Sequence, residues 1–213
     1  MVKKYIIGVD IGATWLRVAL FAEHHIIDKI QEPIDVRTRN AISDQIIRLS
    51  GLLCTRNKVT LKEINGIGIA SAGTMDYKRG ILINPANIPF DYVPLIKPLI
   101  KRLKVPARLY NDCTAGVMAE KKFGVGKNID NLIYISLSTG IGGGAIVDGH
   151  LLVGKDGNAV EIGHITIDYT GKLKCGCGKR GHWEAYCSGK NIPNYVRMRI
   201  KDFDKKVVEN SRL

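Results

Sequence analysis

The chain has 213 residues, of which 45% are hydrophobic and 24% are charged, and it contains 23 glycines. This composition is ordinary for a globular α/β protein and excludes a disordered or fibrous chain. The net charge of +12 favours phosphate-bearing partners such as nucleotides, but the lysines and arginines are scattered, and solvated helix faces are the stronger explanation of them.

No apolar run has the length needed to cross a bilayer, and residues 1–8 lack the long apolar stretch and cleavage site of a signal peptide. We therefore expect a cytoplasmic protein with no membrane partner. Five cysteines in such a chain favour a metal site or free thiols over a disulfide framework.

The first half of the chain predicts a mixed sheet. Apolar, β-branched runs at residues 5–10, 16–21 and 25–30 predict three strands, with a Gly-Ala-Thr turn between the first two. Residues 39–53 have apolar side chains at helical spacing, and residues 66–70 return to a short buried strand. The order β-β-β-α-β predicts a sheet that is covered by a helix.

The chain then predicts a helix, a strand and a second helix at residues 90–103, 107–110 and 112–123. Residues 132–137 and 143–147 again predict paired strands across a glycine-rich turn. The pattern of strand, glycine turn and strand that begins the chain therefore occurs twice. Duplicated halves predict two similar lobes with a ligand cleft between them. The turn-rich residues near 127–131 place the boundary so that the lobes span 1–125 and 126–213.

Two glycine turns are candidate phosphate sites. Asp10 ends the first strand, and Gly12 lets the chain reverse so that backbone N–H groups approach a phosphate while Asp10 holds a magnesium ion. An ordinary hairpin explains this turn equally well. Residues 138–144 are the stronger signal, because small residues there leave amides and two hydroxyls open to a polyanion. The P-loop and dinucleotide patterns are absent, which disfavours a Rossmann fold.

The Asp-x-Gly-x-Thr motif, the second glycine turn and the duplicated lobes resemble the actin, sugar kinase and Hsp70 superfamily, whose two hairpins grip the nucleotide phosphates. The segment from Glu161-Ile-Gly-His164 to Cys175-Gly-Cys177-Gly-Lys-Arg-Gly-His182-Trp-Glu184 resembles the signatures of ROK proteins, which are sugar kinases and sugar-responsive repressors. The likeness covers nearly the whole chain. It implies an α/β fold of two actin-like, ribonuclease H-like lobes. The residues it implies at the phosphates of ATP are Asp10, Gly12, Thr14, Thr139, Gly140 and Gly142.

A zinc site is predicted from four donors, His164, Cys175, Cys177 and His182. Two nitrogens and two sulfurs suit a closed tetrahedral structural zinc. From the residues alone, free thiols are nearly as well supported, since one residue between the cysteines is tighter than the usual zinc knuckle. The resemblance favours zinc, although the family usually has cysteine where this chain has His182.

The resemblance also implies a sugar site. Glu161 and Glu184 would accept hydrogen bonds from sugar hydroxyls, and His164 would contact the sugar through its free ring edge. The alternative is that both glutamates are surface residues. The other sugar contacts implied are Gly73, Asn87, Asn111 and Asp112.

Asp112 lies at a strand-to-helix junction, where it caps the helix or acts as a base. The resemblance makes it the general base that takes a proton from the attacking sugar hydroxyl. Many relatives have asparagine two residues later, where this chain has Thr114.

These features predict ATP-dependent phosphorylation of a hexose, either glucose or an N-acetylhexosamine. Family kinases continue into a late adenosine-binding turn that is not found here, so we expect an incomplete second lobe, and a non-catalytic sugar-binding remnant is an alternative. A sugar-responsive regulator is a third reading. A strand that begins by Tyr5 leaves no room for a recognition helix, so no nucleic-acid partner is expected. Dimers are common in the family, which makes a homodimer one expected assembly.

Overall fold

The computed structural model describes residues 5–85 and 88–202. The chain divides into two compact units. The first is built from the residues up to Ala115 together with Val153–Asn158, and the second from Gly116–Leu152 and the residues from Ala159 onward. The predicted boundary at residue 125 and the predicted cleft stay predictions.

The strands are β1 Tyr5–Ile11, β2 Trp15–Ala22, β3 His25–Pro33, β4 Ile64–Ser71, β5 Met75–Asp76, β6 Ile81–Ile83, β7 Tyr92–Pro94, β8 Ala107–Asn111, β9 Leu132–Leu137, β10 Ile141–Val147 and β11 His150–Leu151. The helices are α1 Ala41–Arg56, α2 Ile96–Leu103, α3 Asp112–Phe123, α4 Glu184–Cys187 and α5 Ile192–Asp202. Helix α5 is described as far as Asp202.

The first unit is organised by a five-stranded sheet of order β3-β2-β1-β4-β8. The first three strands pair antiparallel, whereas β4 runs parallel to both β1 and β8. Alternate side chains of β1 and β2 are buried, as the period of two along a strand requires. Helix α1 packs against this sheet through Ile42, Ile46, Leu49 and Leu53, which recur at the helical period. The predicted α/β class is confirmed.

One predicted helix begins later than the sequence pattern suggests. Residues 92–94 form β7, which pairs with β6, and α2 starts only at Ile96. Val93 precedes Pro94, and a residue before a proline avoids the helical region because of steric clash with the proline ring. The prediction of a helix from residue 90 was therefore wrong for its first six residues.

The second unit contains a three-stranded antiparallel sheet of order β11-β10-β9, with α4 and α5 later in the chain. Strand β10 begins at Ile141, two residues earlier than predicted. One face of β9 carries the exposed apolar side chains of Ile133, Ile135 and Leu137. Among the described residues, no helix combines the length and the apolar character that crossing a bilayer requires.

The core of the first unit gives a stability prediction. Leu49 in α1 is fully buried, whereas Leu52 in the same helix is 44% exposed. We expect Leu49→Ala to lower the free energy of unfolding by about 2–5 kcal/mol, because it removes buried methyl groups and leaves a cavity. Leu52→Ala, the matched control, should cost less than about 1 kcal/mol. Urea unfolding followed by circular dichroism measures both, and equal losses would contradict this packing.

Candidate functional site

Several predicted site residues of the first unit meet at one edge of its sheet. Strands β1, β4 and β8 are parallel neighbours, so their carboxyl ends lie on the same side. In the register, Asp10 lies opposite Ala70, and Ser71 opposite Asn111. Asp10, Gly73, Asn111 and Asp112 therefore follow or end strands at this edge, which is where ligands bind in sheets of this kind.

Asp10 is engaged in an ion pair with Arg17. Its carboxylate Oδ2 lies 2.7 Å from Arg17 Nη1, and both side chains are about half exposed. The pair follows from the β1–β2 hairpin register, which sets Asp10 opposite Arg17. Exposed ion pairs of this kind contribute little, about 0–1 kcal/mol, so the carboxylate can exchange Arg17 for another cation. The register of the hairpin was the signal for Arg17, which sequence reasoning missed.

The turn between β1 and β2 is tight, as predicted. The Gly12 N–H donates to the Trp15 carbonyl at 3.0 Å, and a Cβ on Gly12 would lie 3.3 Å from that oxygen. Gly12 and Thr14 are the predicted phosphate contacts here. Gly73 has a φ of +95°, with open space where a side chain would be, so its backbone is accessible. Asn87 lies outside the described residues.

Asn111 and Asp112 both accept hydrogen bonds at the start of α3. The Asn111 Oδ1 accepts the N–H groups of Cys113 at 2.9 Å and Thr114 at 3.3 Å, so Asn111 caps α3. Asp112 is exposed, and its Oδ1 accepts the Cys113 N–H at 2.9 Å. No hydrogen bond from the described residues reaches Asp112 Oδ2, which leaves that oxygen available as a base.

Tyr77 supports this junction, and no pattern in the sequence indicated this role. Its hydroxyl accepts the Asn111 N–H at 3.3 Å and donates to the Gly157 carbonyl at 3.3 Å. A Cβ on Gly157 would lie 1.6 Å from a ring carbon of Tyr77, so only glycine fits against the ring. Tyr77 thus holds residues 153–158 beside the start of α3.

The second glycine turn is shorter than predicted. It comprises residues 138–140, closed by the Ser138 N–H donating to the Gly140 carbonyl at 2.9 Å, and Gly142 already belongs to β10. Gly143 is buried, and a Cβ there would lie 2.9 Å from the Val160 carbonyl. Part of the glycine run therefore serves close packing against β10 rather than exposure to a polyanion. Thr139, Gly140 and Gly142 stay predicted phosphate contacts.

The four predicted metal donors come together in the second unit. The donor atoms of His164, Cys175, Cys177 and His182 all lie within 4.8 Å of one another. His164 Nδ1 is 3.6 Å from Cys175 Sγ, and His182 Nδ1 is 3.3 Å from Cys177 Sγ. Both histidines thus turn the same ring nitrogen towards a sulfur. We call this group the His/Cys cluster.

The loop that carries the cysteines depends on its glycines. Gly178 has a φ of +93° and Gly181 a φ of +79°, and a Cβ on Gly181 would lie 2.0 Å from the Asp168 carbonyl. Burial raises the pKa of the Cys175 thiol to about 11, and the Glu184 carboxylate beside it acts in the same direction. A thiol of this kind ionises when a metal ion binds.

Two glutamates, Glu161 and Glu184, lie beside the His/Cys cluster, and His164 is one of its members. The Glu161 carboxylate lies 3.8 Å from His164 Nε2, the ring nitrogen that faces away from the cluster sulfur. Glu184 Oε1 lies 3.4 Å from Cys175 Sγ, and Oε2 accepts the Ile141 N–H at 3.0 Å. The three predicted sugar contacts of this unit therefore lie in or beside the His/Cys cluster.

Asp168 organises the same segment. Its carboxylate accepts the N–H groups of Thr170 at 2.9 Å and Lys172 at 3.2 Å, and also the hydroxyls of Thr170 and Tyr186. These bonds, the Thr170 hydroxyl first, hold the pKa of Asp168 well below its ordinary value. Tyr186 lies in α4, so Asp168 joins the loop to that helix.

The chain is similar in sequence to known proteins over most of its length. A model of the ROK family matches residues 6–212. The glucokinase of Pyrobaculum calidifontis is 40% identical over 194 residues, which are 91% of this chain and 60% of that protein. The xylose repressor of Bacillus subtilis is 33% identical over 92% of this chain and 51% of its own length.

The fold of the chain is also similar to that of a solved structure. The ROK family glucokinase from Streptomyces griseus, in complex with glucose and AMPPNP, superposes with a TM-score of 0.70 at 31% identity. The superposition covers 93% of this chain and 62% of that one. Across these three proteins, the chain spans between about half and two thirds of the relative's length.

The hydrogen bonds of Asp168 predict a pH dependence. A carboxyl whose pKa is lower in the folded state stabilises that state above its unfolded pKa of about 3.9. The benefit is lost as the pH falls through the folded pKa. We therefore expect Asp168→Asn to lower the melting temperature at pH 7 and pH 5, and the difference from wild type to shrink below about pH 4.

Melting followed by circular dichroism at several pH values checks this expectation. Asp44→Asn, at an exposed position in α1, is the matched control for the loss of one carboxylate. A melting difference for Asp168→Asn that stayed constant down to pH 2 would contradict the assignment.

Proposed function

The chain belongs to the ROK family, and on this premise we propose that it transfers the γ-phosphoryl group of ATP to a hydroxyl of a hexose, either glucose or an N-acetylhexosamine. The predicted membership and the actin-like sugar kinase fold are confirmed by the family match and by the solved glucokinase. The similarity to glucokinases supports sugar phosphorylation as the activity.

The proposal depends above all on the different hydrogen bonds of Asn111 and Asp112 at the start of α3. Asn111 accepts two N–H groups at the start of α3, whereas the exposed Asp112 accepts one through Oδ1 and stands at the carboxyl edge of the sheet. Asp112 Oδ2 would accept the proton of the sugar hydroxyl as the hydroxyl oxygen attacks the γ-phosphorus. Asn111 and its Tyr77 support would keep this carboxylate in place.

Phosphoryl transfer depends mainly on alignment and on neutralising charge. A bound Mg²⁺ supplies that neutralisation, and Asp10 is the residue of the first unit suited to hold it, directly or through water. The amides at Thr14, Thr139, Gly140 and Gly142 would donate hydrogen bonds to phosphate oxygens. Gly12, whose N–H donates to the Trp15 carbonyl, would let the backbone of the first turn pass close to the phosphates. Glu161, Glu184, His164, Gly73 and Asn87 are the proposed sugar contacts.

We assign the His/Cys cluster to a structural zinc ion. A tetrahedral site with bonds of about 2.0–2.3 Å has ligand-to-ligand edges of about 3.3–3.8 Å. The nitrogen-to-sulfur distances of 3.3 and 3.6 Å in the structure fall in this range. Two imidazoles and two thiols form a normal closed zinc shell, which supports His182 in the place of the usual cysteine.

A second candidate is a sugar-responsive regulator, and the similarity to the xylose repressor favours it. Such a protein would bind sugar through the same residues without transferring phosphate. Asp112 separates the two readings, because only the kinase requires a base.

We expect Asp112→Asn to lower kcat for hexose phosphorylation by about 10²–10⁴-fold, since the amide cannot take the proton. The affinity for sugar should change by less than about threefold, because the amide keeps a hydrogen-bonding oxygen. A coupled assay of ADP release with glucose, N-acetylglucosamine and N-acetylmannosamine measures kcat, and calorimetry measures binding.

Asp148→Asn, at an exposed position in a turn, is the control and should keep full activity. Sugar binding without ADP release by the wild-type protein would reject the kinase and favour the non-catalytic sugar-binding remnant or the regulator. Full activity of Asp112→Asn would reject Asp112 as the base.

The zinc assignment has its own test. The purified chain should contain about one zinc ion per molecule, measured by inductively coupled plasma mass spectrometry. Cys177→Ala and His182→Ala each remove one of four ligands and should lower the zinc content at least about tenfold after dialysis against a weak chelator. His182→Cys should retain zinc, because it restores a thiolate donor.

His150→Ala is the control, since His150 is an exposed histidine outside the cluster. Zinc content unaffected by Cys177→Ala and His182→Ala would contradict the site.

A further inference from the structure

The second glycine turn is held in place by the residues that follow the His/Cys cluster. The Gly189 N–H donates to the Ser138 carbonyl at 2.8 Å, and the Lys190 N–H donates to the Thr139 carbonyl at 3.3 Å. The Glu184 side chain accepts the Ile141 N–H at 3.0 Å. Two residues of the turn and the first residue of β10 are thus hydrogen-bonded to residues 184–190.

Glu184 is the one side chain among these contacts. A Cβ on Gly140 would lie 2.6 Å from Glu184 Oε2, so the carboxylate lies directly against the turn. Its other oxygen is 3.4 Å from Cys175 Sγ, in the cluster. One carboxylate therefore touches both the turn and a cluster ligand.

The backbone makes a second connection. The His182 carbonyl accepts the Ala185 N–H at 3.0 Å, which is the bond that starts α4, and Glu184 is the first residue of that helix. The Trp183 N–H donates to the Ile165 carbonyl at 3.0 Å, next to His164. When the cluster fixes His164 and His182, it also fixes the position from which Glu184 reaches Ile141.

We propose that Glu184 is a positioning residue for the second glycine turn, and that occupation of the His/Cys cluster by a metal ion determines how well this turn is ordered. Loss of the metal ion would then reduce the order of the backbone amides proposed to bind phosphate, in addition to that of the side chains proposed to bind sugar. The metal part rests on the zinc site proposed above. The Glu184 part depends on neither zinc nor sugar phosphorylation.

Amide hydrogen exchange of the peptide that contains Ile141 tests the proposal directly. In wild-type protein loaded with zinc, this amide should be protected. Glu184→Ala should speed its exchange about tenfold, the factor expected for one lost hydrogen bond. Glu184→Asp should do the same, because the charge remains but the shorter side chain withdraws from Ile141. Glu184→Gln should keep the protection, since its carbonyl oxygen still reaches the N–H group.

Glu161→Ala is the matched control. Glu161 is the other glutamate proposed to bind sugar, and its carboxylate lies against His164 instead of the turn. This variant should weaken sugar binding without changing exchange at Ile141. Exchange in β1 of the first unit serves as the check that each variant is folded.

Removal of zinc from the wild type with a chelator should raise exchange at Ile141 to the rate of Glu184→Ala, and chelation of Glu184→Ala should add little. Wild-type exchange in Glu184→Asp, or equal acceleration in Glu161→Ala, would overturn the positioning role. Unchanged exchange after zinc removal would overturn the metal dependence. None of these outcomes requires phosphorylation, so failure of the kinase proposal is recognised separately.

Discussion

The segment from His164 to His182 is organised around four side-chain donors that lie within 4.8 Å of one another. Among the described residues, the apolar cluster at this segment has three buried members, Cys175, Ala185 and Tyr186. A cluster of this size contributes little apolar burial, and small domains often use metal ions or disulfides in addition. The first unit is different, because a continuous core of strand and helix side chains holds its sheet without such aid.

This contrast explains how the proposed functions are distributed. Parallel strands, whose register fixes their relative positions, carry the proposed base Asp112, the helix cap Asn111 and the proposed first phosphate turn. Glu161, Glu184 and the second phosphate turn stand on short helices and loops, and their geometry depends on hydrogen bonds and on the cluster. Loss of order in the His/Cys cluster would therefore affect the proposed ligand contacts before it affects the core of the first unit.

The sequence predicted most of the regular elements, because alternating burial in β1 and β2 and helical spacing in α1 are strong local signals. It also predicted that the donor atoms of His164, Cys175, Cys177 and His182 lie together, while the zinc ion that they would hold stays a prediction. It missed the late start of α2, where Pro94 overrides a helix-like pattern. It also missed Tyr77 and the second role of Glu184, since both act through contacts between residues at least 34 positions apart. The glycines of β10 were interpreted as a phosphate cradle, but the close approach of Val160 accounts for one of them.

The central claim is that one metal-supported segment holds the sugar-binding side chains in position. Calorimetric titration of glucose and N-acetylhexosamines into zinc-loaded protein, and into protein freed of zinc by a chelator, tests it most directly. The account predicts binding of one of these sugars to the loaded protein and a loss of at least about tenfold in affinity without zinc, while the first unit stays folded by circular dichroism. Equal affinity in both states would contradict it.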